Sequence, residues 1–126
     1  MPRVLLVEDE PSIAILEREV LESNGFQVED VRLGRQALQH IEANDRLALL
    51  VLDYVLPDMT GGDIVEALGQ RIESLPTLVV TGYPDPQVAD RLRQAGISDY
   101  IIKDMDLSFL EALPVAARAA IDSQKA

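Results

Sequence analysis

A chain of 126 residues that is 48% hydrophobic has room for one domain with a real core. Its 22 acidic residues against 11 basic ones, a net charge of −11, argue against direct nucleic-acid binding, and its lack of cysteine excludes disulfides, thiol chemistry and thiolate metal sites. No apolar run reaches membrane-spanning length and MPRVLLVEDE lacks the shape of a signal peptide, so a single cytoplasmic domain over residues 1–126, without membrane contact, is expected.

Arg3–Val7 is a short apolar run that stops at Glu8-Asp9-Glu10, which reads as a buried strand ending in carboxylates. Pro11 suits the first turn of a helix whose buried stripe is Ile13, Leu16 and Val20 and whose end is Asn24-Gly25. Phe26–Val31 alternates at first, as an edge strand does, and Gly34–Asn44 is a short helix with Ala37, Leu38 and Ile41 facing inward. Leu47–Leu52 then runs apolar or small without a break and stops at Asp53, the pattern of a strand buried on both faces in the middle of a parallel sheet. Desolvating a charge is costly, so Asp53 belongs at the carboxyl end of that strand, where doubly wound sheets open into a ligand crevice. Pro57, Asp58 and Gly61-Gly62 give the following loop strong turn chemistry.

Asp63 opens a third helix with Ile64, Val65, Leu68 and Ile72 on its buried side, weakened at Gly69. Thr77–Val80 is a strand ending at Thr81-Gly82, and Tyr83-Pro84-Asp85-Pro86 is a loop. A fourth helix carrying Val88, Leu92 and Ala95 closes on Gly96, and Ser98–Ile102 is a last strand ending at Lys103. The final helix shows Leu110, Leu113, Ala117 and Ile121 at helical spacing. Ser108 and Glu111 have capping-box spacing there, and Pro114 either kinks the helix or restarts it. Five alternations of strand and helix predict a (βα)5 α/β domain, a doubly wound five-stranded parallel sheet. Strand order 2-1-3-4-5 is borrowed from the flavodoxin-like group, which covers both faces with right-handed crossovers.

Parallel strands end on one side of their sheet, so Glu8, Asp9, Asp53, Thr81 and Lys103 converge on one edge. Three carboxylates together repel one another and call for a cation. Hard oxygen donors without histidine or cysteine point to magnesium. A metal and Lys103 neutralise phosphoryl oxygens, Thr81 donates a hydrogen bond, and Asp53, the innermost carboxylate, is the natural nucleophile, forming an acyl phosphate. Each signal is weak alone; their conjunction at the right strand ends is strong.

The stretches VLLVEDEP, LLVLDYVLPDMTGG, LVVTGY and DYIIK resemble those of response-regulator receiver domains of two-component signalling, over nearly the whole chain. The resemblance implies phosphorylation of Asp53 by a sensor histidine kinase or phosphotransfer protein. It implies magnesium held by Asp9, Asp53 and the Val55 carbonyl, with Glu8 acting mainly through water. Lys103 would contact the phosphoryl group, Thr81 would hydrogen-bond it in the active state, and Tyr100 would swing inward as Thr81 moves. It also implies a homodimer through the face of the fourth helix, fifth strand and final helix. Two features depart from the family. Receivers usually follow the lysine with proline in a cis bond, whereas Lys103 is followed by Asp104, so this loop is either trans or strained. The ending FLEALPVAARAAI resembles receivers joined to sensor-kinase modules more than free-standing ones.

A haloacid-dehalogenase-type phosphatase would need a second acid two residues past the nucleophile, where Val55 stands. A flavodoxin-like FMN carrier would want a hydroxyl-rich loop in place of Glu8-Asp9-Glu10, and no P-loop is present. The serious alternative is a pseudo-receiver, an interaction module that takes no phosphate; the complete Glu8/Asp9/Asp53/Thr81/Lys103 set argues against it. His40 is expected to be a partly exposed helix residue without an acid–base partner, and Arg91 and Arg93 to be solvated. Ala116, Ala117, Ala119 and Ala120 are read equally as a partner surface or as plain helix formers. The cognate kinase and the output are not readable, and the chain is either a stand-alone regulator or a piece of a longer protein.

Overall fold

The computed structural model describes residues 1–44 and 46–125, so residues 45 and 126 of the expected single domain lie outside the described residues. The elements run β1 (Arg3–Val7), α1 (Pro11–Glu22), β2 (Gln27–Val31), α2 (Gly34–Ala43) and β3 (Leu49–Asp53). They continue with α3 (Gly61–Leu68), a 3-10 turn (Gly69–Glu73), β4 (Thr77–Thr81), α4 (Pro86–Ala95), β5 (Asp99–Ile102) and α5 (Phe109–Lys125). The five strands form one sheet in the order β2-β1-β3-β4-β5, all pairs parallel, as expected.

The apolar runs explain the layering. β3 and β4 are buried at every residue, because helices cover both of their faces. Successive side chains along β1 serve opposite layers: Val4 and Leu6 join the cluster under α1 and α5, and Leu5 and Val7 the cluster under α2, α3 and α4. The edge strands keep polar residues outward, with Gln27 and Glu29 exposed on β2 and Asp99 on β5. No helix among the described residues is long and apolar enough to cross a membrane.

The details differ from the sequence reading where one residue outweighed a pattern. On α1 the deepest residues are Ala14, Glu17 and Leu21, while Ile13, Leu16 and Val20 are half-buried, so the stripe is rotated by one residue and includes a carboxylate. Thr60, not Asp63, begins α3: its hydroxyl accepts the Asp63 N–H at 3.1 Å, while the Asp63 carboxylate accepts the Thr60 N–H at 2.9 Å. Gly69, at φ +53°, ends that helix outright, and Ile72 is buried from the 3-10 turn. On α4, Ala89 joins Leu92 in the buried face; Val88 is half-buried and Ala95 exposed. α5 runs through Pro114 as one helix. The Ser108–Glu111 capping box does not form: the Ser108 hydroxyl donates to Asp104 Oδ2 at 2.6 Å, and Asp104 Oδ1 accepts the Phe109 N–H at 3.0 Å. The Lys103–Asp104 bond is trans, no cis bond being present among the described residues. Ala117 and Ala120 are core residues of α5, which leaves Ala119 exposed and Ala116 half-buried.

Candidate functional site

The carboxyl ends of β1, β3 and β5 deliver the expected charges to one edge. Lys103 Nζ lies 2.5 Å from Glu8 Oε1 and 3.1 Å from Asp53 Oδ2, bridging the strand on either side of its reach. Glu8, Asp9 and Asp53 each offer an oxygen within 4.8 Å of the others. Glu8 is 1% exposed and Asp53 8%, so this charge cluster sits below the surface, at the floor of an open cleft of about 610 Å³. Val55, Gly82, Tyr83, Met105 and Leu107 stand on the cleft walls.

Local bonds fix each group. Glu8 Oε2 accepts the Glu10 N–H at 3.1 Å, and Arg32, from the end of β2, donates to the Glu8 carbonyl at 3.2 Å. Arg32 is itself held by Asp30 at 2.7 Å. Asp53 Oδ1 accepts the Val55 N–H at 3.4 Å, which folds the chain back over the strand end. Gly61 packs tightly against the strand end: a Cβ there would press on the Tyr54 Cα and the Asp53 carbonyl.

The charges do not balance. Burial, followed by the neighbouring Glu8, pushes the Asp53 carboxyl up to about 7. Burial also works against ionised Glu8, but bonds from Lys103 and the Glu10 N–H overcome it and hold Glu8 below its ordinary value. Asp9 is raised by burial and by Glu8. Burial opposes a charged Lys103 as well, yet its contacts with Glu8 and Asp53 raise it well above an ordinary lysine. One ammonium thus serves two of the three carboxylates, and Asp53 and Asp9 remain uphill to ionise. A donor set of carboxylate oxygens with surplus negative charge and no nitrogen or sulfur ligand suits a hard divalent cation such as magnesium.

The structure brings Glu8, Asp9, Asp53 and Lys103 together and places Val55 on the cleft wall, half exposed. Thr81 is fully buried at the end of β4, its hydroxyl accepting the Tyr83 N–H at 3.0 Å, with Gly82 and Tyr83 between it and the cleft. Tyr100 sits apart: its hydroxyl accepts the Asp85 N–H at 3.3 Å, at the start of α4.

Three residues were missed or misjudged. Glu17 is 1% exposed with its Oε1 unpartnered, and burial with the adjacent Glu8 charge lifts it to about 9. Its spacing from Ala14 and Leu21, on one helix face, was a readable signal. Arg93 is not simply solvated, since its guanidinium lies 5.9 Å from the centre of the Tyr100 ring. His40 Nδ1 has a carboxylate 3.5 Å away, Glu29 of the neighbouring strand, which sequence distance concealed.

The profile of the response regulator receiver domain family matches residues 4–113. Among curated relatives, the phosphate regulon transcriptional regulatory protein PhoB of Rhizobium meliloti is 34% identical over 106 residues, covering 82% of this chain and 46% of that protein. The transcriptional regulatory protein TctD of Salmonella typhimurium is 37% identical over 112 residues, covering 87% and 49%. The chain thus spans about half the length of these relatives. Among solved structures, the signal receiver domain of a putative LuxO repressor protein from Vibrio parahaemolyticus superposes with a TM-score of 0.88 at 31% identity, covering 98% of this chain and 92% of that one.

Proposed function

This chain belongs to the response regulator receiver domain family, and from that premise we propose that it is a phosphoacceptor whose acceptor is Asp53. The observation that carries the reading is the convergence of three carboxylates, two of them paired with Lys103, at the ends of β1, β3 and β5. Asp53 supplies the nucleophile: one carboxylate oxygen bonds to the phosphorus of a phosphohistidine on a sensor kinase or phosphotransfer protein. The nitrogen–phosphorus bond breaks, and the released imidazole takes up a proton. Asp9, Asp53 and the Val55 carbonyl would hold magnesium, with Glu8 behind them, and the bound ion would offset the charge of the phosphoryl oxygens in transfer. Lys103, freed from Asp53 as that carboxylate becomes an acyl phosphate, turns to the phosphoryl group as a counter-charge. Thr81 exchanges its bond to the Tyr83 N–H for one to the new oxygens, and Tyr100 leaves the Asp85 N–H for the space vacated, which re-sets the α4 surface read by a partner.

The test is intact-protein mass spectrometry after incubation with acetyl phosphate and magnesium. Wild type gains one phosphoryl mass and Asp53→Asn gains none. Equal labelling of both would refute the assignment, and labelling of neither would favour a non-phosphorylated interaction module.

A further inference from the structure

The loop between β3 and α3 closes on itself at its base. Val55 pairs with Thr60 across it, the Leu56 N–H donates to the Met59 carbonyl at 3.2 Å, and the Gly61 N–H donates to the Tyr54 carbonyl at 2.6 Å. Its tip, Asp58-Met59, is held from outside. Asp58 Oδ1 accepts the Gly34 N–H at 2.8 Å and Asp58 Oδ2 the Arg35 N–H at 3.0 Å, so the carboxylate takes two free donors of the first turn of α2. Among the described residues these are the side-chain hydrogen bonds that join the tip to another element. Met59 reinforces them: its side chain lies so close over Gly34 that a Cβ at that position would collide with it. A carboxylate on two amides and a thioether on a bare Cα form a clasp, and the absence of a side chain at Gly34 leaves the space that Met59 fills.

The clasp matters because of what the loop carries. Between Asp53 and the tip lies Val55, on the wall of the acidic cleft, and Leu56, buried in the core. With its base closed and its tip pinned, the loop has no freedom to slide its carbonyls relative to Asp53. We infer that Asp58 is a positioning residue for the phosphoacceptor edge: by clasping the first turn of α2 it fixes the loop that presents the Val55 carbonyl beside Asp53 and Asp9. This rests on the phosphoacceptor reading above and extends it to a residue that touches neither the cation nor the phosphoryl group. It also makes α2, which contributes no group to the cleft, a handle on the cleft's geometry.

Isothermal titration with magnesium tests this on wild type, Asp58→Ala, Asp58→Asn and Ser98→Ala, alongside amide hydrogen exchange. Asp58→Ala binds magnesium about tenfold more weakly, the low end of what losing an orienting partner costs a metal site. Asp58→Asn, which keeps one acceptor oxygen, recovers most of the affinity. Gly34→Ala, which displaces Met59 instead, weakens binding in the same direction. Ser98→Ala removes the acceptor of the Thr77 N–H (3.2 Å) at the opposite edge of the sheet, and so controls for a plain loss of stability; it binds as wild type does. Affinity in Asp58→Ala within about twofold of wild type, or a loss matched by Ser98→Ala, overturns the inference. A wild type that binds no magnesium defeats the metal reading itself. The exchange data decide the clasp separately: unchanged protection at the Leu56 and Gly61 amides in Asp58→Ala rejects it.

Discussion

The carboxyl of Glu17, inside α1, abuts that of Glu8, at the end of β1, and the partners of the pair, Lys103 and the Glu10 N–H, both fall to Glu8 while Glu17 Oε1 has none among the described residues. Glu17 therefore keeps its proton well past neutrality, lifted to about 9 by burial and by the Glu8 charge. An unfolded glutamate releases that proton near its ordinary value of 4.5, so between those limits the folded protein binds more protons than the unfolded one. Unfolding free energy then falls as pH rises through this window. Asp53, raised from 3.8 to about 7, tilts stability the same way over its lower part. Metal-free melts from pH 5 to 9 should show a steady decline, and Glu17→Gln should flatten it. Glu17→Met should raise stability at pH 8 by on the order of 1–3 kcal/mol, by removing a buried, half-satisfied carboxyl. A wild-type melting point independent of pH would contradict the account.

The opposite shifts of Asp53 and Glu8 separate two substitutions that look alike. Asp53 is raised, so its charge is a net burden on the metal-free fold, and Asp53→Asn should stabilise it at pH 8 by on the order of 1–3 kcal/mol. Glu8 is lowered, so its charge is a net asset through Lys103, and Glu8→Gln should destabilise. Urea unfolding of the two variants decides it; the same sign for both would show that Lys103 does not discriminate between its partners.

Magnesium should reverse the balance. Binding to the folded state alone raises the midpoint, so millimolar magnesium should increase the wild-type melting temperature and leave Asp9→Ala unmoved. An equal increase in Asp9→Ala would remove Asp9 from the metal set.

The proposed switch gives a fourth expectation. Thr81→Ala removes a hydroxyl whose bond in this structure is to the Tyr83 N–H, so it should still accept phosphate while losing most of the conformational response. Amide NMR shifts at α4 on addition of beryllofluoride report that response. A shift pattern preserved in Thr81→Ala would place the switch elsewhere.

The lifetime of the proposed phosphorylated state would depend on the side chains beside the approach of water to Asp53. Val55 and Tyr83 both stand on the cleft wall, and neither offers a carboxylate or amide to orient a water. Val55 is 50% exposed and Tyr83 80%, so Val55 does more of the shielding. Slow intrinsic hydrolysis follows, and the double mutant Val55→Asn, Tyr83→Glu should lose phosphate several-fold faster. A rate no faster than wild type would clear both side chains of that role.

Much of this architecture can be read before folding because the strands are buried on both faces. Leu47–Leu52 and Thr77–Val80 are apolar runs with nothing to alternate against, and their abrupt ends at Asp53 and Thr81 mark the functional edge. What stayed hidden depends on contacts between distant segments. Asp58 looks like an ordinary turn residue until α2 is laid beside it, and Arg93 looks solvated until β5 brings Tyr100 under it. Glu17 was passed over because an apolar stripe one residue away, Ile13–Leu16–Val20, fits the helical period equally well. Gly69 reads in the sequence as a propensity cost, but its positive φ lets the chain leave the helix altogether.

The place of β1 in the sheet has a consequence for synthesis. Of the five strands of this sheet the first to be translated is an interior one, paired with Gln27–Val31 on one side and Leu49–Asp53 on the other. Its second neighbour is translated only after α2, so a nascent chain that has reached Asn44 carries Val4–Val7 with one row of amides and carbonyls open. Completion of β3 closes that row and brings Asp53 to its end, so closure of the sheet's middle and assembly of the acidic edge go together.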